Sequence, residues 1–374
     1  MSHSIDPRTA ALTSRRGHLT RGRLPKWVPA VVAVVAIAVA FALKALAGFG
    51  LFLTGIVAAV LFVIGMYAAA RGVEGGRKAA DRLFRYLVWG AFIVALLPLV
   101  SVLWTVLEKG IPGLFTPGFL TTSMNGVSGL ADKKAMAGTG PVLGGAYHAL
   151  IGTVIITFWA TLISVPIGLL TAVYLVEYGR GNRLSRGITF FVDVMTGIPS
   201  IVAGLFAAAL FAVISGPGTR MGIVAAVALS VLMIPVVVRS TEEMLRVVPN
   251  ELREASYALG VRKWRTIMKV VVPTAISGIA SGVTLAIARV IGETAPILVT
   301  AGITTRINAN AFNDWMASLP VYIYSLIQNP LNPSYADPSS QRAWGAALLL
   351  ILLVMLLNLA SRMIAKYFAP KGGR

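Results

Sequence analysis

Two charges stand alone in a long apolar stretch. Between Ile276 and Ile303 the only charged residues are Arg289 and Glu293, within TLAIARVIGETAPILVTAGI. A charged side chain facing lipid at the centre of a membrane helix costs at least about 2.5 to 3.5 kcal/mol, so both must face protein or water. On one helix, positions four apart share a face, and the two can either pair or jointly line a path. The guanidinium is a planar fork of donors suited to a tetrahedral oxyanion. The carboxylate can balance it when the path is empty, and can accept the proton of hydrogen phosphate, which sulfate lacks at neutral pH. The structural alternative is a salt bridge that locks packing, with Gly292 serving a close helix contact and Pro296 loosening the backbone. Counting ~1.5 Å per residue from Pro273 puts Arg289 roughly 24 Å along the helix, at or beyond the bilayer midplane.

A second segment has mechanical rather than chemical character. Residues 239–273 read RSTEEMLRVVPNELREASYALGVRKWRTIMKVVVP, polar beside the apolar runs that flank them. Pro249 breaks a first short helix, Asn250 can cap a second, Glu251 suits its first turn, and Gly260 supplies a left-handed stop. Physics alone allows a solvated amphipathic surface helix. Of the remaining polar groups, Asp193 lies just before Thr196, Gly197 and Ser200, and serves either as counter-charge to a loop arginine or as part of an inner path. Thr153, Thr157, Thr161 and Ser164 recur near Pro166, where hydroxyls bonding back to the preceding turn explain them. Arg239, Glu242 and Glu243 border the polar segment and suit its folding, or contact with a partner, better than ion binding.

What is missing narrows the function. The chain has no Cys, which removes disulfides and thiolate metal sites, and its His residues are only His3, His18 and His148, so no metal site is expected. No Gly-Lys dipeptide occurs, so the phosphate-cradling loop ending in Gly-Lys-Ser or Gly-Lys-Thr is absent. Neither His-Glu-x-x-His nor Gly-x-Ser-x-Gly is present. An enzyme acting alone is a poor reading, and uphill movement of a solute has to draw on a partner or an ion gradient.

The elements that position these groups are membrane helices. The 374 residues are 57% hydrophobic and 13% charged, against about 25% charged in soluble domains. Apolar runs predict eight spans near residues 28–47, 50–70, 84–107, 148–176, 188–215, 221–238, 274–302 and 343–365. With a cytoplasmic N-terminus, 25 of the 33 Lys and Arg fall on the inside, which predicts both termini cytoplasmic. The +19 net charge thus reads as membrane orientation, with no nucleic-acid partner. The order along the chain is a basic tail over 1–27, an accessory hairpin over 28–70, a core over 84–366 containing the 239–273 segment, and a tail over 367–374. The first span is too long for a cleaved signal and is read as retained. Residues 108–147 and 303–342 read as external loops with short interfacial helices.

Two sets of residues resemble known permeases. Glu254, Ala255, Gly260, Val270, Val272 and Pro273 are similar to the EAA loop of ABC importer permeases, whose form is Glu-Ala-Ala, three residues, Gly, nine residues, Ile, one residue, Leu, Pro. Ser256 stands for the second Ala, and Val270 and Val272 stand for Ile and Leu. Ala288 to Pro296 resembles the Ala-Arg-x-x-Gly-Glu-Thr-Ala-Pro signature of the PstA family of phosphate-importer permeases. Gly197 to Gly204 resembles that family's Gly-x-Pro-Ser-Ile-Val-x-Gly segment, and Leu319 to Tyr324 its last external loop. The partner-type permease tends to carry Met after Gly-Glu-Thr, where this chain has Ala295 and Pro296.

The resemblance covers roughly residues 84–366. It implies an all-α polytopic protein of the bacterial inner membrane, with a type I ABC importer core of six helices and two extra N-terminal ones. It implies half of a heterodimer with a second homologous permease, above a cytoplasmic ATPase dimer and below an extracytoplasmic phosphate-binding protein. ATP is then used by the partner subunits, with no cofactor on this chain. Arg289 and Glu293 become substrate-path residues, and Glu254, Ala255 and Gly260 the contact with the ATPase. The rivals are a permease for molybdate or sulfate, the partner-type phosphate permease, an ion-gradient-driven secondary transporter using Arg289, Glu293 and Asp193 as a proton relay, and a non-transporting scaffold.

Overall fold

A computed structural model describes residues 22, 24–48, 50–179 and 181–368. Most of both expected tails, and Arg180, lie outside the described residues. Among the described residues every regular element is helical. Seven helices are long and apolar enough to cross a membrane, and one further pair is bent. The chain divides into two compact units, residues 1–103 and 104–374.

The first unit holds α1 (Val28–Ala47), α2 (Leu51–Glu74) and the opening of α3 (Gly76–Leu114). α1 and α2 form the expected hairpin. Gly48 takes a left-handed φ of 70° and donates to the Lys44 carbonyl at 2.8 Å, ending α1 without a side-chain penalty. At the foot of α2, Glu74 accepts from Arg82 Nε at 2.7 Å and from the Leu24 amide at 2.7 Å, which fixes the turn into α3.

The second unit continues with α4 (Gly129–Met136), α5 (Tyr147–Val173), α6 (Arg183–Thr196), α7 (Ser200–Ser215) and α8 (Gly222–Val247). Then come α9 (Asn250–Ala258), α10 (Lys263–Thr266), α11 (Val272–Val290), α12 (Ala295–Thr300), α13 (Leu319–Gln328) and α14 (Asp337–Phe368). π-helical turns over Tyr174–Tyr178 and Ile267–Val271 extend the end of α5 and open α11. α8 is the central pillar, with Val224, Ala225, Ala226, Ala228, Leu229 and Met233 all buried against α5, α7, α11 and α12. Its small side chains explain the close packing, and small residues on its neighbours answer them: a Cβ on Gly168 of α5 would meet Val237 at 2.7 Å.

Three expectations change. The run over 188–215 is not one straight span: α6 and α7 meet at 109° across Gly197 to Pro199, because glycine ends the first helix and proline cannot continue it. The run over 274–302 is not one helix either. α11 stops at Val290, Ile291 to Thr294 form a turn, and α12 resumes at Ala295. The first short helix expected after Arg239 does not exist separately, since α8 runs on to Val247. Within the 303–342 segment, expected as an external loop, Ala311, Met316, Ala317 and Ser318 are buried. The Ala311 carbonyl accepts from the Ile223 amide at 2.7 Å, and the Ala317 carbonyl occupies the space where a Gly152 side chain would stand.

Candidate functional site

Arg289 lies in the last turn of α11, where its charge complements the negative end of the helix dipole. Glu293 lies beyond the stop, its amide donating to the Val290 carbonyl at 3.1 Å. The two side chains therefore do not share a helical face and form no ion pair, and neither makes a side-chain hydrogen bond among the described residues. Arg289 is exposed and Glu293 half-buried. Ser281, Leu285 and Arg289, four apart, make an exposed strip along α11. Its opposite side buries Ile279, Ala286 and Val290, and Thr284 hydrogen-bonds Ser361 of α14. A path that uses Arg289 is thus open on one side in this chain alone. Gly292 is exposed with nothing within 4 Å of a built Cβ, so it is not the close-contact glycine expected. That role falls to Gly204 on α7, where a Cβ would stand 2.7 Å from Pro296 Cα.

The polar segment builds a compact knuckle. α9 ends in a Schellman motif: Val261 N–H donates to the Ser256 carbonyl at 3.2 Å, Gly260 N–H donates to the Tyr257 carbonyl at 2.9 Å, and Gly260 has φ 73°. Asn250 is not a side-chain cap; it is the first helical residue, and its Oδ1 accepts from Arg253 Nη1 at 3.3 Å. Glu251 sits in the first turn as expected. Glu254, Ala255 and Gly260 all face outward, while Arg253 and Ser256 face in. The Ser256 departure from the EAA pattern has a physical reason: its hydroxyl meets that of Thr266 at 2.8 Å in a buried position, a bond alanine could not make.

Asp193 pairs with Arg239 of α8, and Arg239 also donates to Glu242 at 2.9 Å, so Asp193 has a counter-charge. Thr196 Oγ1 donates to the Asp193 carbonyl at 2.6 Å, and Ser200 opens α7 after Pro199. Thr153 bonds back to the Ala149 carbonyl at 2.7 Å and accepts from the Leu319 amide. Ser164, by contrast, has a buried hydroxyl without a partner among the described residues. The sequence reading passed over two buried ion pairs, Arg253 with Glu177 and Arg342 with Asp132. Glu177, a lone acid closing an apolar span, was the available signal for the first; no local pattern marks the second.

The family described as binding-protein-dependent transport system inner membrane component matches residues 164–372, more than half of the 374. The chain belongs to this family. It is 50% identical to phosphate transport system permease protein PstA 1 of Mycobacterium tuberculosis (strain CDC 1551 / Oshkosh), over 77% of this chain and 89% of that protein. It is 45% identical to PstA of Mycobacterium leprae over 77% and 90% of the two chains, and 38% identical to PstA of Pasteurella multocida over 76% and 94%. Among solved structures, an inward-facing MetNI methionine ABC transporter is similar, with TM-score 0.46 and 22% identity over 60% of this chain and 94% of that one. Family membership and the apolar helices make this permease-family chain a multi-pass bacterial inner-membrane protein.

Proposed function

We propose that this chain is a permease subunit of an ATP-driven phosphate importer. The observation that carries the reading is its 50% identity to a PstA protein over nearly the whole of that relative. In this reading a second homologous permease closes the open side of α11, completing a route past Arg289. A cytoplasmic ATPase dimer supplies ATP hydrolysis, and an extracytoplasmic binding protein delivers inorganic phosphate. The chain itself binds no cofactor, and both of its termini lie in the cytoplasm. What supports the division of labour is the outward set of Glu254, Ala255 and Gly260 on α9, ringed by exposed Leu252, Tyr257 and Leu259, a surface suited to seating in a partner's groove.

Arg289 is proposed to meet phosphate as it crosses. Its guanidinium has no partner among the described residues, which leaves its donors for the oxygens of an oxyanion. Glu293, four residues on and beyond the end of α11, repels a fully deprotonated anion and accepts a hydrogen bond from the hydroxyl of hydrogen phosphate. Residues 28–70 are proposed as accessory to the core at 84–366. The test is reconstitution with the neighbouring subunits in vesicles. Phosphate-loaded binding protein should stimulate ATP hydrolysis and uptake, and equal stimulation by sulfate or molybdate, or uptake by this chain alone under an ion gradient, would overturn the reading.

A further inference from the structure

The knuckle at α9 is fastened to the membrane helices on one side and free on the other. Arg253 is 7% exposed and Glu177 1%. Arg253 Nε and Nη2 donate to Glu177 Oε1 at 3.0 and 2.9 Å, Nη1 donates to the Val248 carbonyl at 2.6 Å, and Nη2 donates to the Leu245 carbonyl at 2.9 Å. One guanidinium thus joins α9 to the π turn that ends α5 and to the end of α8. Lys263 donates to the Glu177 carbonyl from α10, and the Ser256 to Thr266 bond ties α9 to α10. The π turn matters here, because a widened turn changes the facing of residues beyond it and such bulges recur at functional sites. α9 also packs against the second π turn, at the entry to α11.

This joint itself borders a cleft of about 820 Å³, lined by Glu177 and Arg253, by Arg186 and Asp193 of α6, and by Glu242 and Arg246 of α8. The cleft separates α9 from α6, which is held to α8 by the ion pair of Asp193 with Arg239 instead. A push on α9 therefore passes into α5, α8 and α11 as one body, and into α6 only at second hand.

We propose that Arg253 is a positioning residue for coupling, acting through Glu177 as the joint that converts displacement of α9 into displacement of α5 and α8. The proposal rests on the reading of α9 as the ATPase contact. A buried pair of this kind, broken on one side, leaves an uncompensated charge, so the joint loosens when either partner is removed.

The experiment uses the complete transporter in vesicles, with three readouts: ATPase subunit retained on the purified complex, ATP hydrolysed, and phosphate taken up per ATP. If the unsubstituted complex shows no phosphate-stimulated hydrolysis, the importer reading fails before the joint is tested. Arg253→Gln and Glu177→Gln should each keep ATPase attachment within about twofold and lower phosphate moved per ATP by about tenfold, the range seen when coupling elements are altered. The double variant should be no worse than either single one, because both remove the same contact. Arg253→Lys, which keeps the charge and loses the fork, should recover part of the ratio. Unchanged phosphate per ATP in both single variants, additive losses in the double variant, or loss of the ATPase subunit from both singles would overturn the proposal; the last would make the pair an assembly contact.

Discussion

Asp132 and Arg342 stand 210 positions apart and meet in a doubly hydrogen-bonded ion pair at 2.8 and 2.6 Å, each side chain 1% exposed. Ser339 donates to the same carboxylate at 3.1 Å, and Arg342 reaches the Leu143 carbonyl at 2.6 Å. The pair fastens α4, in the segment between α3 and α5, to the first turns of α14. Asp132→Asn or Arg342→Met alone should destabilise this end of the second unit by about 3 to 5 kcal/mol, since each leaves a buried charge unpaired. Replacing both with apolar residues should cost much less. Thermal unfolding in detergent of the two singles and the double checks this, and equal losses in all three would refute it.

Tyr322 shares that region, its ring edge-on to His148 at 5.1 Å and its hydroxyl donating to the Gly145 carbonyl. Burial pushes its phenol well above the ordinary value of 10.0. The folded state therefore holds this proton where the unfolded chain releases it, so stability contributed here is intact below pH 10 and falls as pH rises beyond it. Tyr322→Phe should flatten that alkaline fall, measured as melting temperature between pH 9 and pH 11, estimated to bracket an ordinary phenol at about 10.

Arg289→Gln should abolish phosphate uptake while the protein accumulates and assembles normally. Arg289 makes no side-chain hydrogen bond or ion pair among the described residues, so its loss leaves nothing orphaned. Uptake at the unsubstituted rate would remove it from the path.

Gly260→Trp should leave the chain in the membrane and weaken its hold on the ATPase. Nothing lies within 4 Å of a built Cβ, so no clash arises, but φ 73° costs a non-glycine residue about 1 to 2 kcal/mol and distorts the outward face of α9. Undiminished co-purification of the ATPase would count against α9 as the contact.

Gly204→Leu should separate α7 from α12, because even a Cβ stands 2.7 Å from Pro296 Cα. Overpacking of this kind costs typically about 1 to 3 kcal/mol, and it displaces the backbone three residues from Glu293. Lower melting temperature together with reduced uptake is expected; an unchanged melting temperature would show that the contact is slack.

Much of this architecture is visible in the amino-acid sequence, for reasons that particular residues make plain. An apolar run long enough to cross lipid identifies a span whatever its neighbours do, so α1, α2, α5 and α14 follow from composition, as does the isolation of Arg289 and Glu293. Apolar composition does not report continuity. The bend at Gly197 to Pro199 and the stop at Val290 were marked only by Gly and Pro residues, which occur elsewhere inside unbroken helices, such as Pro166 in α5 and Pro235 in α8. Pairings escape a linear reading altogether. Arg253 and Glu177 are 76 positions apart, and only the folding of α9 beneath α5 brings them together.

The sharp bend between α6 and α7 bears on biogenesis. Sixteen residues make α7, only about 24 Å long at ~1.5 Å per residue, short of the ~30 Å needed to traverse hydrocarbon unaided. Upstream, α6 carries Arg183, Arg186 and Asp193, which a translocon releases reluctantly into lipid. What α7 lacks in length it makes up in partners, resting on the pillar α8 and, through Gly204, on Pro296 of α12, both of which are made after it.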